Sequence, residues 1–173
     1  SNYGAMKLAS EALISACFES YLTVANIFRF PNVVGVPATH GVILDFINKL
    51  IVSPDELNVL GDGTQQKSYL HVSDLIEAML TIRDRPISGN VELVNIGPID
   101  EGISVKSIAE AVVERVSPKA RISYGIGNKG WVGDVPKFTY STNKLQSLGW
   151  VPKLNSSQAV RHAIDEIARQ LGM

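Results

Sequence analysis

Residues 1–35 read SNYGAMKLASEALISACFESYLTVANIFRFPNVVG, and the reading of this stretch decides the fold class. The Ala-rich run from 4 to 19 sets Leu8, Ala12, Leu13 and Ala16 at helical spacing. Leu22 to Phe30 is rich in Val, Ile and Phe and carries no charge before Arg29, the pattern of a buried strand. Pro31, Gly35 and Pro37 end that strand and force a loop. A helix feeding a buried apolar strand is the repeating unit of an α/β layer structure.

The remaining chain continues the alternation. A helix is expected over Val42 to Ile51, a short strand over Leu57 to Leu60, a Gly61-Asp62-Gly63 turn and an extended run over Ser68 to Val72. Asp74 with Glu77 resembles a capping box opening a helix that runs to Arg83. Val91 to Ile96 reads as a strand, Ser104 as the cap of a helix to Val116, and 121–124 as a strand. A loop over 125–138, a short helix over 143–148 and an amphipathic helix over 157–171 complete the expectation.

With 173 residues, of which 45% are hydrophobic and 19% charged, the chain is long enough to bury one real core. A net charge of −1 without a Lys/Arg-rich run argues against nucleic acid or an anionic membrane surface as main partner. The apolar stretches are short or interrupted by Asp45, Asn48 and Lys49, and no signal-peptide pattern opens the chain, so a cytoplasmic protein is expected. Cys17 is the single cysteine, which excludes an internal disulfide; it reads as a small buried residue on the first helix. His40, His71 and His162 are scattered, and no metal site is expected.

Tyr3 and Lys7 lie four residues apart on the first helix, so an ammonium can sit beside a phenol. A neighbouring cation favours the ionised phenol and draws its pKa from near 10 toward a range useful for general acid/base work. Tyr140 and Lys144 share the spacing, but their polar Tyr-Ser-Thr-Asn-Lys run reads as the start of a short helix capped by Thr142 or Asn143. Gly125-Ile-Gly127-Asn-Lys-Gly130 matches the Gly-x-Gly-x-x-Gly spacing of dinucleotide-binding turns. Gly133 and Pro136 deny it the following helix that would hold a pyrophosphate, so it reads as a flexible Gly-rich loop.

Taken in order, Tyr3-x-x-x-Lys7, Arg29-Phe-Pro-Asn32-Val-Val-Gly35, Gly61-Asp-Gly63 through Lys67, His71 and Asp74, Asn95-Ile-Gly97, Gly133-Asp-Val and Leu148-Gly-Trp150-x-Pro152 form one pattern. It resembles the C-terminal half of an extended short-chain dehydrogenase/reductase, among the NAD-dependent nucleotide-sugar epimerases and dehydratases and closest to UDP-glucose 4-epimerase-like enzymes. The resemblance covers essentially the whole chain. It implies an α/β fold made of the last Rossmann elements plus the smaller substrate-binding domain. Residues 1–36 would be the tail of the NAD-binding domain, and 37–173 mainly the sugar-nucleotide-binding domain, with room for some elements to return to the Rossmann domain. It also implies a preceding region of about 140 residues, a typical domain, holding the Gly-rich cofactor turn and a Ser or Thr beside the tyrosine. The expectation is therefore a fragment, inactive alone, whose NAD is bound mainly by the preceding half.

The resemblance further implies roles. The Tyr3 phenolate would remove a sugar hydroxyl proton while the adjacent carbon gives hydride to NAD, and Lys7 would hold the nicotinamide ribose. In a 4-epimerase the keto sugar turns in the site and takes the hydride back on its other face. Phe30 and Pro31 would lie against the cofactor. Asn32, at a strand end where open α/β sheets bind ligands, offers amide donors to the substrate or else stabilises the turn. Arg29 is structural or lines the site. Lys67 stands where relatives carry an arginine for the diphosphate, keeping the charge without the bidentate fork. Asp134 belongs to the Gly-Asp-Val unit; relatives carry Arg two residues before it, where this chain has Trp131. Lys129 supplies that charge, or Trp131 packs on the sugar or uracil ring, or Trp131 closes a loop onto the core. Asp74 is expected to cap its helix with His71 bonded nearby, and Trp150 and Pro152 to dock the closing helix.

Three function classes stay open: a UDP-sugar 4-epimerase; a dehydratase, decarboxylase or reductase of the same superfamily; and a non-catalytic sugar-nucleotide-binding module. The expected ligands are a UDP- or dTDP-hexose and NAD. The family forms homodimers through the Tyr-Lys helix, which predicts an exposed apolar helix face in this chain.

Overall fold

The computed structural model describes residues 1–86, 89–128 and 141–173. Its first helix, α1 (Asn2–Cys17), is capped by Ser1, whose Oγ accepts a hydrogen bond from the Gly4 amide at 3.2 Å. No α1 residue is buried, and Met6, Leu8 and Leu13 are exposed. Cys17 is half-buried rather than buried, with Sγ 3.0 Å from the Tyr21 hydroxyl. The cause is that α1 meets the fold along one edge, through Glu11, which accepts from Arg29 Nε at 2.8 Å.

Strand β1 (Ala25–Arg29) follows, shorter than the apolar run suggested, and pairs in parallel with β6 (Val91–Asn95). Pro31 ends β1, but the chain does not then loop. Asn32–Val34 forms β2, parallel to β5 (Tyr69–His71), so the proline breaks a ladder and the next strand resumes on another partner. Helix α2 (Val42–Val52) buries Ile43, Phe46, Ile47 and Leu50, one face at helical spacing. Strand β3 (Glu56–Val59) runs parallel to β8 (Arg121–Tyr124), while β4 (Gln66–Lys67) lies antiparallel to β7 (Ile103–Ser104).

Helix α3 (Val72–Arg83) begins three residues earlier than an Asp74 cap would allow. His71 is the cap, its Nδ1 accepting from the Ser73 amide at 3.3 Å. Asp74 is buried instead, and Oδ2 accepts the amides of Lys153 and Leu154 at 3.1 and 3.2 Å. The carboxylate is thus spent on tying the 150s segment to α3. Ser104 caps α4 (Val105–Val116) as expected, accepting from Ser107 N at 3.1 Å. Helix α5 (Asn143–Ser147) is held to β6 by Lys144, which donates to the Leu93 carbonyl at 2.8 Å and pairs with Glu92. Helix α6 (Ser156–Gln170) opens on a capping box of Asn155 and Gln158.

Two cores result. The larger packs α2, α4 and α6 around β3 and includes Tyr69; the smaller packs α3, β6, Leu145 and Trp150 around Leu70. Tyr69 and Leu70 are neighbours on β5 and point to opposite faces, so one strand forms the wall between the cores. Trp150 therefore packs with α3 and α5, not against the closing helix, because α6 spends its apolar face on the larger core. Among the described residues, no helix is long and apolar enough to cross a membrane.

Candidate functional site

Where β2 leaves β5, the chain turns through Gly35, Pro37 and His40 into α2 and leaves a cleft of about 440 Å³. Its floor is apolar, formed by Val34, Ile43, Tyr69, Val72 and Ile167. Its polar groups come from Asn32, Thr39, His40 and Lys67. Parallel pairing sets Asn32 opposite Tyr69, and Lys67 enters two residues before Tyr69, so the β2–β5 register brings an amide and an ammonium to one opening.

The N-terminus of α2 adds to this. Gly41 precedes the helix at φ 106°, with no side chain capping the first turn, and Val42 and Ile43 both line the cleft. Helix N-termini carry unsatisfied N–H groups and a partial positive charge, which suits an anion. Asp45 in the same turn is offset by Lys49, 2.8 Å away. The loop between β2 and α2 is clamped from α6. Gln170 Oε1 accepts the Ala38 amide at 2.9 Å, and its Nε2 donates to the Ala38 carbonyl at 3.1 Å. Gly35 passes against α3 so closely that an added Cβ would lie 2.6 Å from Val72 Cγ1 and 3.1 Å from His71 Nε2. Only glycine fits that approach at φ 135°.

Of the residues expected from the sequence, Asn32 and Lys67 come together in the cleft. Tyr3 and Lys7 lie on α1 and do not line it: Tyr3 is 73% exposed, and Lys7 Nζ stands 5.4 Å from its ring centroid. Phe30 is exposed and Pro31 buried at the end of β1. Arg29 is engaged by Glu11, which holds the guanidinium pKa above its usual value and the carboxyl below its own. Lys129, Trp131 and Asp134 lie outside the described residues, as do Tyr140 and the Gly133-Asp-Val unit. The sequence reading missed Thr39, His40 and the open α2 terminus. The one signal available was a glycine, rather than Ser, Thr, Asn or Asp, immediately before an apolar helical run.

The cleft beside an open helix N-terminus, together with the exposed Tyr-Lys helix, stands in an α/β layer structure built on parallel strand pairs. The profile of the NAD dependent epimerase/dehydratase family matches residues 1–97, and the chain belongs to that family. It is 25% identical to mouse dTDP-D-glucose 4,6-dehydratase over 94% of this chain and 46% of that protein. It is 29% identical to Arabidopsis thaliana GDP-mannose 3,5-epimerase over 92% of this chain and 42% of that protein. The chain thus spans about half the length of these relatives.

Among solved structures, a UDP-galactose 4-epimerase superposes with a TM-score of 0.85 at 33% identity, covering 99% of this chain and 55% of that one. MoeE5 in complex with UDP-glucuronic acid and NAD gives a TM-score of 0.81 at 26% identity, covering 98% and 56%. The α/β fold of the family is therefore present, over about half of these neighbours.

Proposed function

We propose that this chain carries the catalytic helix and the substrate-binding part of an NAD-dependent nucleotide-sugar epimerase, of the UDP-glucose/galactose 4-epimerase type. The observation that carries the reading is the cleft, which sets Asn32, Lys67 and the uncapped N-terminus of α2 around one opening. Two amide donors, an ammonium and a helix terminus suit a diphosphate, and the apolar floor suits the nonpolar edge of a base or sugar. Family membership and the solved neighbours named for UDP-sugars support it.

In this reading residues 1–36 are the tail of the cofactor domain, with β6 returning to it by pairing on β1, and the rest forms the sugar-nucleotide domain. Tyr3 takes the proton of the sugar hydroxyl and returns it. Lys7 holds a positive charge and three N–H donors beside the phenol, toward the cofactor ribose. The exposed, adjacent pair fits the edge of a cofactor site, with Phe30 and Pro31 next to it. NAD, when bound there, supplies the hydride acceptor; its main binding site is on the part of the enzyme preceding this chain. The complete enzyme is a cytoplasmic homodimer in this reading, the exposed Met6 and Leu13, two turns apart on one side of α1, supplying apolar surface that a second subunit covers.

Product analysis of the complete enzyme with UDP-glucose is the test. An inverted C4 with no net NADH supports the epimerase. A stable keto sugar or net NADH gives the second reading, a dehydratase or related oxidoreductase, which the likeness to the mouse dehydratase favours. Tyr3→Phe should lower turnover by about 10²–10⁴-fold with little change in substrate binding. UDP-sugar binding with no turnover in the complete enzyme would leave only a binding module.

A further inference from the structure

Behind the cleft floor, three side chains with metal-ligating atoms converge. His162 and Glu166 lie one turn apart on the same face of α6, and His71 reaches them from the junction of β5 and α3. His71 Nε2 stands 3.0 Å from Glu166 Oε2, and His162 Nε2 stands 3.4 Å from Glu166 Oε1. One donor atom from each residue lies within 4.8 Å of the other two, and the imidazoles meet edge to face with centroids 4.9 Å apart.

We propose that His71, His162 and Glu166 form a site for a divalent transition-metal ion, with zinc the best-suited. Two imidazoles and a carboxylate are a fitting donor set for such an ion, and three protein ligands leave the fourth position to water. Ligands held about 2.0–2.2 Å from a tetrahedral ion are separated from one another by about 3.4 Å. The 3.0 and 3.4 Å spacings are near that edge but go to Oε2 and Oε1 respectively, so ligation through one Glu166 oxygen requires a turn of the carboxylate as well. The remaining edge, within 4.8 Å like the others, closes by rotation of His162, whose side chain is 53% exposed, while His71 is buried.

In the structure Nδ1 of His71 accepts the Ser73 amide, so an ion at Nε2 requires the other tautomer, in which Nδ1–H gives up that amide and donates instead to Ser73 Oγ, 2.7 Å away. Water and metal reach the site past His162 and the partly exposed Glu166. Occupancy would pin α6 to the β5–α3 junction. Val72 and Ile167, each next to a ligand, line the cleft, and Gly35 packs against His71, so the ion braces the floor on which the substrate reading depends. The metal site stands on its own geometry and does not require that reading.

The test uses the untagged chain, stripped with chelator and titrated with Zn²⁺ by calorimetry and with Co²⁺ by visible absorption. One ion per chain, intense cobalt bands of four-coordinate type and a zinc-dependent rise in Tm are expected. His162→Gln and Glu166→Gln should each weaken zinc by more than the ~10-fold typical of a lost outer-shell contact, and Ser73→Ala by about that amount. His162 is half-exposed, so His162→Gln keeps the fold and the urea midpoint of the metal-free chain. His40→Gln, removing the histidine outside the trio, should leave zinc affinity unchanged. No stoichiometric zinc, a six-coordinate cobalt spectrum, or a His162→Gln protein that binds zinc as tightly as the parent would overturn the site. The trio would then be a hydrogen-bonded clamp only.

Discussion

Replacing Gly102 by alanine drives a methyl group into the backbone that carries Lys67. Gly102 has φ +91°, and a Cβ built on it lies 2.3 Å from the Lys67 carbonyl oxygen, 2.4 Å from its carbon and 2.8 Å from the Ser68 nitrogen. None of these atoms belongs to a flexible side chain, so β4 must move away from β7. The positive φ costs an alanine about 1–2 kcal/mol. Displacing packed backbone adds about 1–3 kcal/mol. The total of roughly 2–5 kcal/mol is a large part of the 5–15 kcal/mol typical of a folded domain. Gly149 provides the control, with φ +81° and no heavy atom within 4 Å of its Cβ position, so Gly149→Ala incurs only the torsional part. In urea melts with a slope near 2 kcal/mol/M, Gly102→Ala should lower the midpoint by about 1–2.5 M and Gly149→Ala by less than about 1 M. Equal losses in the two variants, or a Gly102→Ala midpoint within error of the parent, would refute the steric reasoning. The same displacement should weaken UDP-glucose binding, because Lys67 is carried out of the cleft.

Asp74→Ala removes a buried carboxylate from two backbone amides, those of Lys153 and Leu154, and should cost about 2–4 kcal/mol in a denaturant melt, with α3 still formed because His71 caps it. Lys67→Met keeps the stem and deletes the charge at the cleft; UDP-glucose affinity measured by calorimetry should fall about 10- to 100-fold while the urea midpoint stays within about 0.5 M. Acid melts should show the Glu11–Arg29 pair. The bond donated by Arg29 depresses the folded carboxyl below 4.5, so its stabilisation is present above that unfolded value and is lost as pH falls through the lower folded one. Arg29→Met should flatten the stability curve below pH 4.5, and an unchanged acid slope would count against the pair.

Much of the architecture was legible because burial writes a period into the chain. The spacing of Ile43, Phe46, Ile47 and Leu50 names α2 and the face it buries, and Ser104 announces α4 as a cap. The misreadings share a cause: a residue type has several uses, and only its neighbours choose among them. Asp74 carries a helix-capping signal, yet the amides of a distant segment claimed its carboxylate, and His71 took the cap. Pro31 is a sound breaker, but a break in one ladder leaves the next residues free to pair elsewhere, as β2 does with β5. Strand β7 is two residues long, too short for any period, and exists through its antiparallel partner β4.

For the site, the chemistry of single residues was readable and their assembly was not. Sequence by itself determined that Tyr3 and Lys7 share a helix face, that Asn32 ends a strand-and-breaker run and that Lys67 follows a glycine turn. These are local facts set by the backbone's fixed periods. Only the tertiary structure decided that Asn32 and Lys67 meet over an open helix terminus, because that meeting depends on which strands pair and in what register. It likewise decided that His71 and His162, read as scattered, converge with Glu166 on one point. Long-range pairing is selected by the burial of whole faces, a sum over the chain that no local window contains.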